Sequence, residues 1–584
     1  GIVDVPGHER FVRTMVAGAA GIDIVLLVIA IDEGVKPQTR EHLDICRLLS
    51  IRHGIIVLNK RDRVDDEWAQ LQEEEVREFV RGTFLEDAPI LQLSALTGQG
   101  VPELAAAIDR MAAEIPGKDP LLPFRLPVDR SFTIKGFGTV VTGTVAGGAI
   151  RTGDEVVILP NGLLNRVRGL QVHGSATEVA EAGNRAAVNL QGVDKEAAPR
   201  GAVLCRPGDF RPTRSVEASI EYLHQAPKAM KSRERVTFHS GTASATARVV
   251  LYGQGELPPG GSAVARIDLS EPFVLMAGDR FILRGFAPLA NFGYTIGGGT
   301  VLLPYPPKRK GSARVVPPVL DICRSEALPG RIAALLEDAS ISGIPDRDMP
   351  VVAGDNQPRI RKELDRLIGD GTILRAKQAN GYHLWHRSAL GSSGRMILSA
   401  LAGLHERFPD REGFPLDVIL GATSQPVDPG LAVMALEAEP GIERQGDLLF
   451  IPEKRPLSVA LTTPFAISIG NAVSRVGLAG LSRAELLEAL PPPHDTRLFD
   501  KTVEALVRDR RILRIKELHF QPEAVRALEE KLRDYLSRHE GITVPEFKEM
   551  AGLSRKFVIP LIEYFDETKV TLRVGDRRFL RKPR

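Results

Sequence analysis

Three short stretches near the start of the chain carry residue types that suit a nucleotide. Asp4-Val5-Pro6-Gly7-His8 groups a carboxylate, a glycine and an imidazole. A carboxylate such as Asp4 can hold a Mg²⁺ ion through water, and a glycine such as Gly7 lets a backbone N–H approach a phosphate. Asn59-Lys60-Arg61-Asp62 comes second. There the Asp62 carboxylate can accept from both N–H donors of a guanine edge, while Asn59 and the stem of Lys60 frame the base. Ser94-Ala95-Leu96 comes third, with backbone N–H groups suited to the guanine oxygen. Each motif follows an apolar run, in chain order, and together they point to one guanine-nucleotide site.

Such motifs need a sheet behind them. Ile24–Ala30 and Gly54–Leu58 are continuous apolar runs of strand length, the mark of parallel strands covered on both faces. Amphipathic helices over Thr39–Leu49 and Glu67–Phe79 alternate with them. This order predicts an α/β domain over residues 1–117, with ligands bound beyond the carboxyl ends of the strands. The chain opens inside GIVDVPGHE, and Ile2-Val3 reads as the end of a buried strand. A truncated front is therefore expected.

DVPGHE, IDEGVKPQTREHL (Ile31–Leu43), NKRD and SAL together resemble the guanine-nucleotide domain of translational GTPases. The resemblance implies a P-loop-type G domain that uses GTP/GDP and Mg²⁺. It implies that His8 positions the attacking water and is the catalytic residue. No G-x-x-x-x-G-K-[ST] occurs in the sequence, and Gly117-Lys118 is followed by Asp119. The family carries that motif and its first switch ahead of DxPGH. These residues are accordingly expected to bind GTP poorly and to hydrolyse it hardly at all.

Helix signals fade after Leu121. β-branched residues alternate with glycine turns over 121–207 and again over 211–305, which predicts two antiparallel β-barrels. Two barrels behind a nucleotide domain resemble elongation factor Tu and its relatives. VDRSFTIKGFGTVVTGTV (Val128–Val145) and AGNRAAVNLQGVDKEAAPRG (Ala182–Gly201) narrow the likeness to selenocysteine-specific elongation factors of the SelB type. The resemblance implies that two barrel arginines, Arg130 and Arg185, lie near the aminoacyl group. A selenol is more acidic than a thiol and is largely anionic near neutral pH, whereas Cys and Ser stay mostly neutral. Two guanidiniums would favour selenocysteine by a charge-assisted contact worth about 1.5–3 kcal/mol.

The remainder repeats. Ile373, Ile442, Ile512 and Val570 each follow a helix and open a strand, a polar turn and a second strand. Helices followed by a hairpin are a winged-helix arrangement, so four tandem modules are expected over 316–388, 392–456, 457–524 and 525–584. Four such modules behind a translational GTPase body match the SelB-type layout. The last 34 residues hold nine Lys and Arg against four Asp and Glu. Arg555 and Lys556 open a helix that Ser554 can cap, while Arg573, Arg577 and Arg578 flank the wing turn. Helix start plus wing predicts a two-pronged surface for an RNA backbone and loop bases.

Composition sets the outer bounds. The 584 residues are 43% hydrophobic and 26% charged, which excludes wholesale disorder. A net charge of +2 excludes a polycationic coat, so an RNA site must be a local patch. No apolar run approaches the roughly 18 residues of a membrane span. Cys46, Cys205 and Cys323 are too scattered for a metal or redox pair. The expected protein is a cytoplasmic monomer without membrane contact. It delivers selenocysteinyl-tRNA to the ribosome and grips an mRNA hairpin, the selenocysteine insertion element. Another elongation-factor-Tu-like GTPase and a non-catalytic RNA-binding protein with a degenerate G domain are the alternatives.

Overall fold

The structure is a computed structural model that describes residues 4, 21–134, 138–289, 293–309, 315–409, 411–454, 461, 463–490 and 496–581. The chain divides into two compact units, Gly1–Ser392 and Ser393–Arg584.

The first unit opens with three parallel strands in sequence order, β1 (Ile24–Ala30), β2 (His53–Asn59) and β3 (Ile90–Gln92). Helices α1 (Pro37–Leu48), α2 (Asp66–Val80) and α3 (Val101–Glu114) follow them in turn. Leu27, Ile29, Ile56 and Leu58 share one core with Val76 and Val80 of α2. On the other face Ile55 and Val57 pack on Ala107 of α3. Cover on both faces thus holds for β2. It fails for β1, whose Val28 is 56% exposed, because α3 packs over β2.

Residues 121–207 build an eight-stranded antiparallel sheet around one apolar core. Its ladder does not close among the described residues, where a closed barrel was expected. The two end strands, Arg125–Pro127 and Arg130–Ile134, follow one another in the chain. Between them Val128 N–H bonds to Ala202 O and Asp129 N–H to Thr142 O, so each turns to a different neighbour. The next sheet, over Thr213–Leu303, does close as a six-stranded barrel. One of its strands, Gly293–Leu303, escaped the sequence pattern because Gly297, Gly298 and Gly299 break it. The glycines are needed for close approach: a Cβ at Gly299 would lie 1.9 Å from the Ser219 carbonyl oxygen.

Helix α1 is bolted to this barrel. Fully buried Glu41 accepts hydrogen bonds from Tyr294 N (3.1 Å), Thr295 N (3.0 Å) and Thr295 Oγ1 (2.7 Å). Arg47 reaches Glu221 of the barrel as well.

Four segments then repeat one plan, helices followed by a three-stranded antiparallel sheet. Their hairpins are Ile373–Gln378 with Gly381–His386, Glu443–Gln445 with Leu448–Phe450, Leu513–Ile515 with Leu518–Phe520, and Thr571–Val574 with Arg577–Leu580. Each gains a third strand of two residues, such as Ile542–Thr543, which is too short to leave a periodic signal. The first of these modules belongs to the first unit and shares a core with the closed barrel, where Leu302 and Tyr252 meet Leu320 and Ile332. Among the described residues no helix is long and apolar enough to cross a membrane.

Candidate functional site

Parallel register brings the expected base-reading loops to one sheet edge. Ala30 lies beside Asn59, and Leu58 beside Gln92, so the loops after β1, β2 and β3 emerge together. Asn59 ties two of them: its Oδ1 accepts from Lys60 N (2.7 Å) and from Ala95 N (3.0 Å). Lys60 turns the chain with φ of +65°. Buried Ser94 donates from Oγ to Asp62 Oδ1 at 2.5 Å. Leu96 stands 86% exposed at the rim. Asn59, Asp62, Ser94, Ala95 and Leu96 are therefore neighbours, as a guanine site requires.

Two acids missed from sequence join them. Lys60 Nζ pairs with Glu33 (2.7 Å) and Asp32 (3.2 Å), and Arg63 with Asp32 (3.1 Å). Lys36 and then Lys60 hold the Glu33 carboxyl down at about 2, and Glu33, with Asp32, raises the Lys60 ammonium in turn. The Lys60 head thus points into salt bridges while its backbone N–H is held by Asn59. Their signal lay in the IDEG phrase at the carboxyl end of β1.

Asp4 is exposed, while Gly7 and His8 lie outside the described residues. Among the described residues no three His, Cys, Asp or Glu side chains gather as a metal site.

The two barrel arginines lie on one sheet face. Arg130 pairs in register with Thr142, and Arg185 with Thr144, on opposite sides of the strand Gly138–Thr144. Thr142 and Thr144 are two residues apart and so share a face, and their cross-strand partners share it with them. Asp129, the neighbour of Arg130, binds Arg185 instead: Arg185 Nη2 lies 2.6 Å from Asp129 Oδ2, while Thr142 Oγ1 donates to Oδ1 at 2.5 Å. Arg130 is exposed and its guanidinium makes no hydrogen bond or ion pair among the described residues. This face abuts the α/β domain. A Cβ at Gly21 would meet Thr144 at 2.8 Å, and Lys118 Nζ donates to Gly21 O at 2.7 Å.

In the last module Arg555 and Lys556 are exposed at the start of the helix Arg555–Glu567. Ser554 occupies the N-cap position without a side-chain capping bond, contrary to expectation. Lys556 Nζ donates to Glu485 Oε1 of the preceding module (3.0 Å). Arg573 and Arg577 are exposed on the hairpin. Arg578 is not: it is 3% exposed and its Nε donates to Asp566 Oδ2 at 2.9 Å. Successive strand residues face opposite ways, so Arg577 and Arg578 cannot both lie on the wing surface. The outward face carries Arg577 with Leu572, Val574 and Phe579, all partly exposed, a feature the charge count could not show.

Comparison with known proteins agrees with this layout. The profile of the elongation factor Tu GTP binding domain matches residues 1–114, and that of elongation factor Tu domain 2 matches 138–205. The β-barrel domain of selenocysteine-specific elongation factor matches 217–308, and the winged helix of elongation factor SelB matches 534–580. The chain is 35% identical to elongation factor Tu 2 of Streptomyces avermitilis over 51% of its length and 78% of that protein. Over its whole length it is 27% identical to the selenocysteine-specific elongation factor of Escherichia coli, covering 90% of it. A crystal structure of a bacterial selenocysteine-specific elongation factor, 23% identical, has the same fold, with a TM-score of 0.63 over 99% of this chain and 90% of that one. The selenocysteine-specific elongation factor of Desulfomicrobium baculatum is 34% identical over 100% of this chain and 91% of its own length. With G domain, two β domains and SelB winged helix in the same order, the chain belongs to the selenocysteine-specific elongation factor family.

Proposed function

We propose that this protein is a GTP-dependent carrier that brings selenocysteinyl-tRNA to the ribosome at UGA codons while its last module holds an mRNA hairpin. The observation that carries the reading is the placement of Arg130 and Arg185 on one face, either side of the strand Gly138–Thr144. Asp129 fixes the Arg185 guanidinium, and Arg130 is left as the uncompensated charge. An ionised selenium between them gains a charge-assisted contact that neutral Cys and Ser side chains do not. The niche abuts the α/β domain through Gly21 and Lys118, so a nucleotide-dependent change there has a short route to the aminoacyl group.

GTP binds at the edge formed by Asn59, Lys60, Asp62 and Ser94–Leu96. Mg²⁺ is held through water by Asp4, Gly7 approaches a phosphate, and His8 orients the attacking water. The sequence carries no G-x-x-x-x-G-K-[ST], so nucleotide affinity of these 584 residues alone is weak and their hydrolysis slow. The four repeating segments are tandem winged helices, and Arg555, Lys556 and Arg577 of the last one face the RNA, with Arg573 exposed on the other side of the hairpin. The carrier works as a cytoplasmic monomer.

Filter binding with three charged tRNAs tests the proposal. Selenocysteinyl-tRNA is retained more tightly than cysteinyl- or seryl-tRNA; equal retention of all three contradicts it.

A further inference from the structure

The closed barrel and the first module enclose a cleft of about 310 Å³. The strand register explains its floor. Ser219 and Arg280 are both cross-strand partners of Thr300, so the three form one row across adjacent strands. Their chain neighbours Ala218, Ile220, Phe281 and Val301 are buried in the barrel core, so alternation turns this row outward. Helices Pro318–Ser325 and Leu328–Ala339 lie over it and add Arg324 and Arg331.

The lining is unusual in its charge. Three guanidiniums and two hydroxyls face the space, and no carboxylate lines it. Neither Arg280 nor Arg324 makes a hydrogen bond or ion pair through its guanidinium among the described residues. Glu221, whose charge reaches Arg280, is bound by Arg47. Arg331 lies 4.0 Å from Asp355, but Asp355 is held more closely by Arg359, at 3.1 Å. The Arg331 Nε is buried with no hydrogen-bond acceptor. A buried donor left unpaired is costly, and an anion placed there supplies its acceptor. Burial, and then the neighbouring Arg52, push the Arg280 pKa down against the pull of Glu221.

We infer that this cleft binds a phosphate group. Its volume sits at the small end of ligand cavities, roughly 300–1,000 Å³, and beyond the arginines and the two hydroxyls its wall includes Leu335, Val352 and Cys323. The phosphate therefore belongs either to a small phosphorylated molecule or to the backbone of a bound RNA. The inference does not rest on the carrier reading, since none of its residues belongs to the guanine edge or to the Arg130–Arg185 face.

Isothermal titration of inorganic pyrophosphate into the full chain tests it, with Arg324→Gln, Arg280→Gln and, as a charge control in the second unit, Arg395→Gln. Arg324 and Arg395 are exposed, so their replacement leaves the fold intact. The expected result is saturable binding that weakens about ten-fold in Arg324→Gln and in Arg280→Gln and is unchanged in Arg395→Gln. Absence of saturable binding, or equal binding by all four proteins, overturns the inference. Competition with aminoacyl-tRNA then assigns the source. Mutual exclusion, with weaker tRNA binding by Arg324→Gln, supports an RNA backbone phosphate; independent binding of both supports a small phosphorylated ligand.

Discussion

Arg185 and Asp129 form an ion pair at 2.6 Å on the sheet face that also carries Arg130. The acid next to Arg130 in sequence is thus committed to the other arginine. With Asp129 anchored by Thr142 as well, Arg185 is held in place, and the trio keeps one net positive charge. Both arginines are solvent-accessible.

The two adjacent arginines of the last wing should behave differently. Arg577→Ala is expected to weaken hairpin binding and to lower the slope of affinity against salt by about one, without loss of stability. Arg578→Ala leaves Asp566 partly buried without its partner, and should cost about 3 kcal/mol of stability. Gel-shift titrations at several salt concentrations and urea unfolding separate the two effects. A purely RNA-binding defect in Arg578→Ala would contradict the buried pair.

Glu41 predicts how firmly α1 is fastened to the closed barrel. Glu41→Ala strips the acceptor from Tyr294 N, Thr295 N and Thr295 Oγ1 in a buried setting. A loss of about 3 kcal/mol in the unfolding of the first unit is expected. An unchanged urea midpoint would show that α1 is not held there.

The Glu485 capping box, which also receives Lys556 of the last module, should weaken in acid. The Ser482 backbone N–H and hydroxyl, with Lys556 after them, hold the Glu485 carboxyl down at about 2, against an ordinary 4.5. A carboxyl depressed on folding stabilises the native state above its unfolded value, and that support fades as pH falls through the folded one. The difference in unfolding midpoint between the native protein and Glu485→Gln should be full at pH 5 and vanish toward pH 2. A difference that grows on acidification would contradict the assignment.

How much could be read beforehand follows from the kind of signal involved. Ile24–Ala30 and Gly54–Leu58 were legible because both are unbroken apolar runs, although only the second is covered on both faces. The strand Gly293–Leu303 was hidden because its glycines answer to close backbone approach, which leaves no hydropathy pattern. Arg130 and Arg185 were found only through family likeness, and their common face emerged from register. Arg578 was misplaced because charge counting ignores strand alternation. Asp32 and Glu33 went unnoticed because an acid's partner is fixed by tertiary contact, and for the same reason Asp129, next to Arg130 in sequence, pairs with Arg185 instead. The proximity of the three loops after β1, β2 and β3 was the clearest case, since motif order and parallel topology specify the same edge.

Aminoacyl selectivity is the most direct test of the account. The ratio of affinities for selenocysteinyl-tRNA and cysteinyl-tRNA should be measured in the native protein, in Arg130→Ala and in Arg185→Ala. The account predicts that each substitution lowers the ratio about ten-fold while affinity for cysteinyl-tRNA changes little. A ratio untouched by both substitutions would contradict the claim that these two guanidiniums recognise ionised selenium.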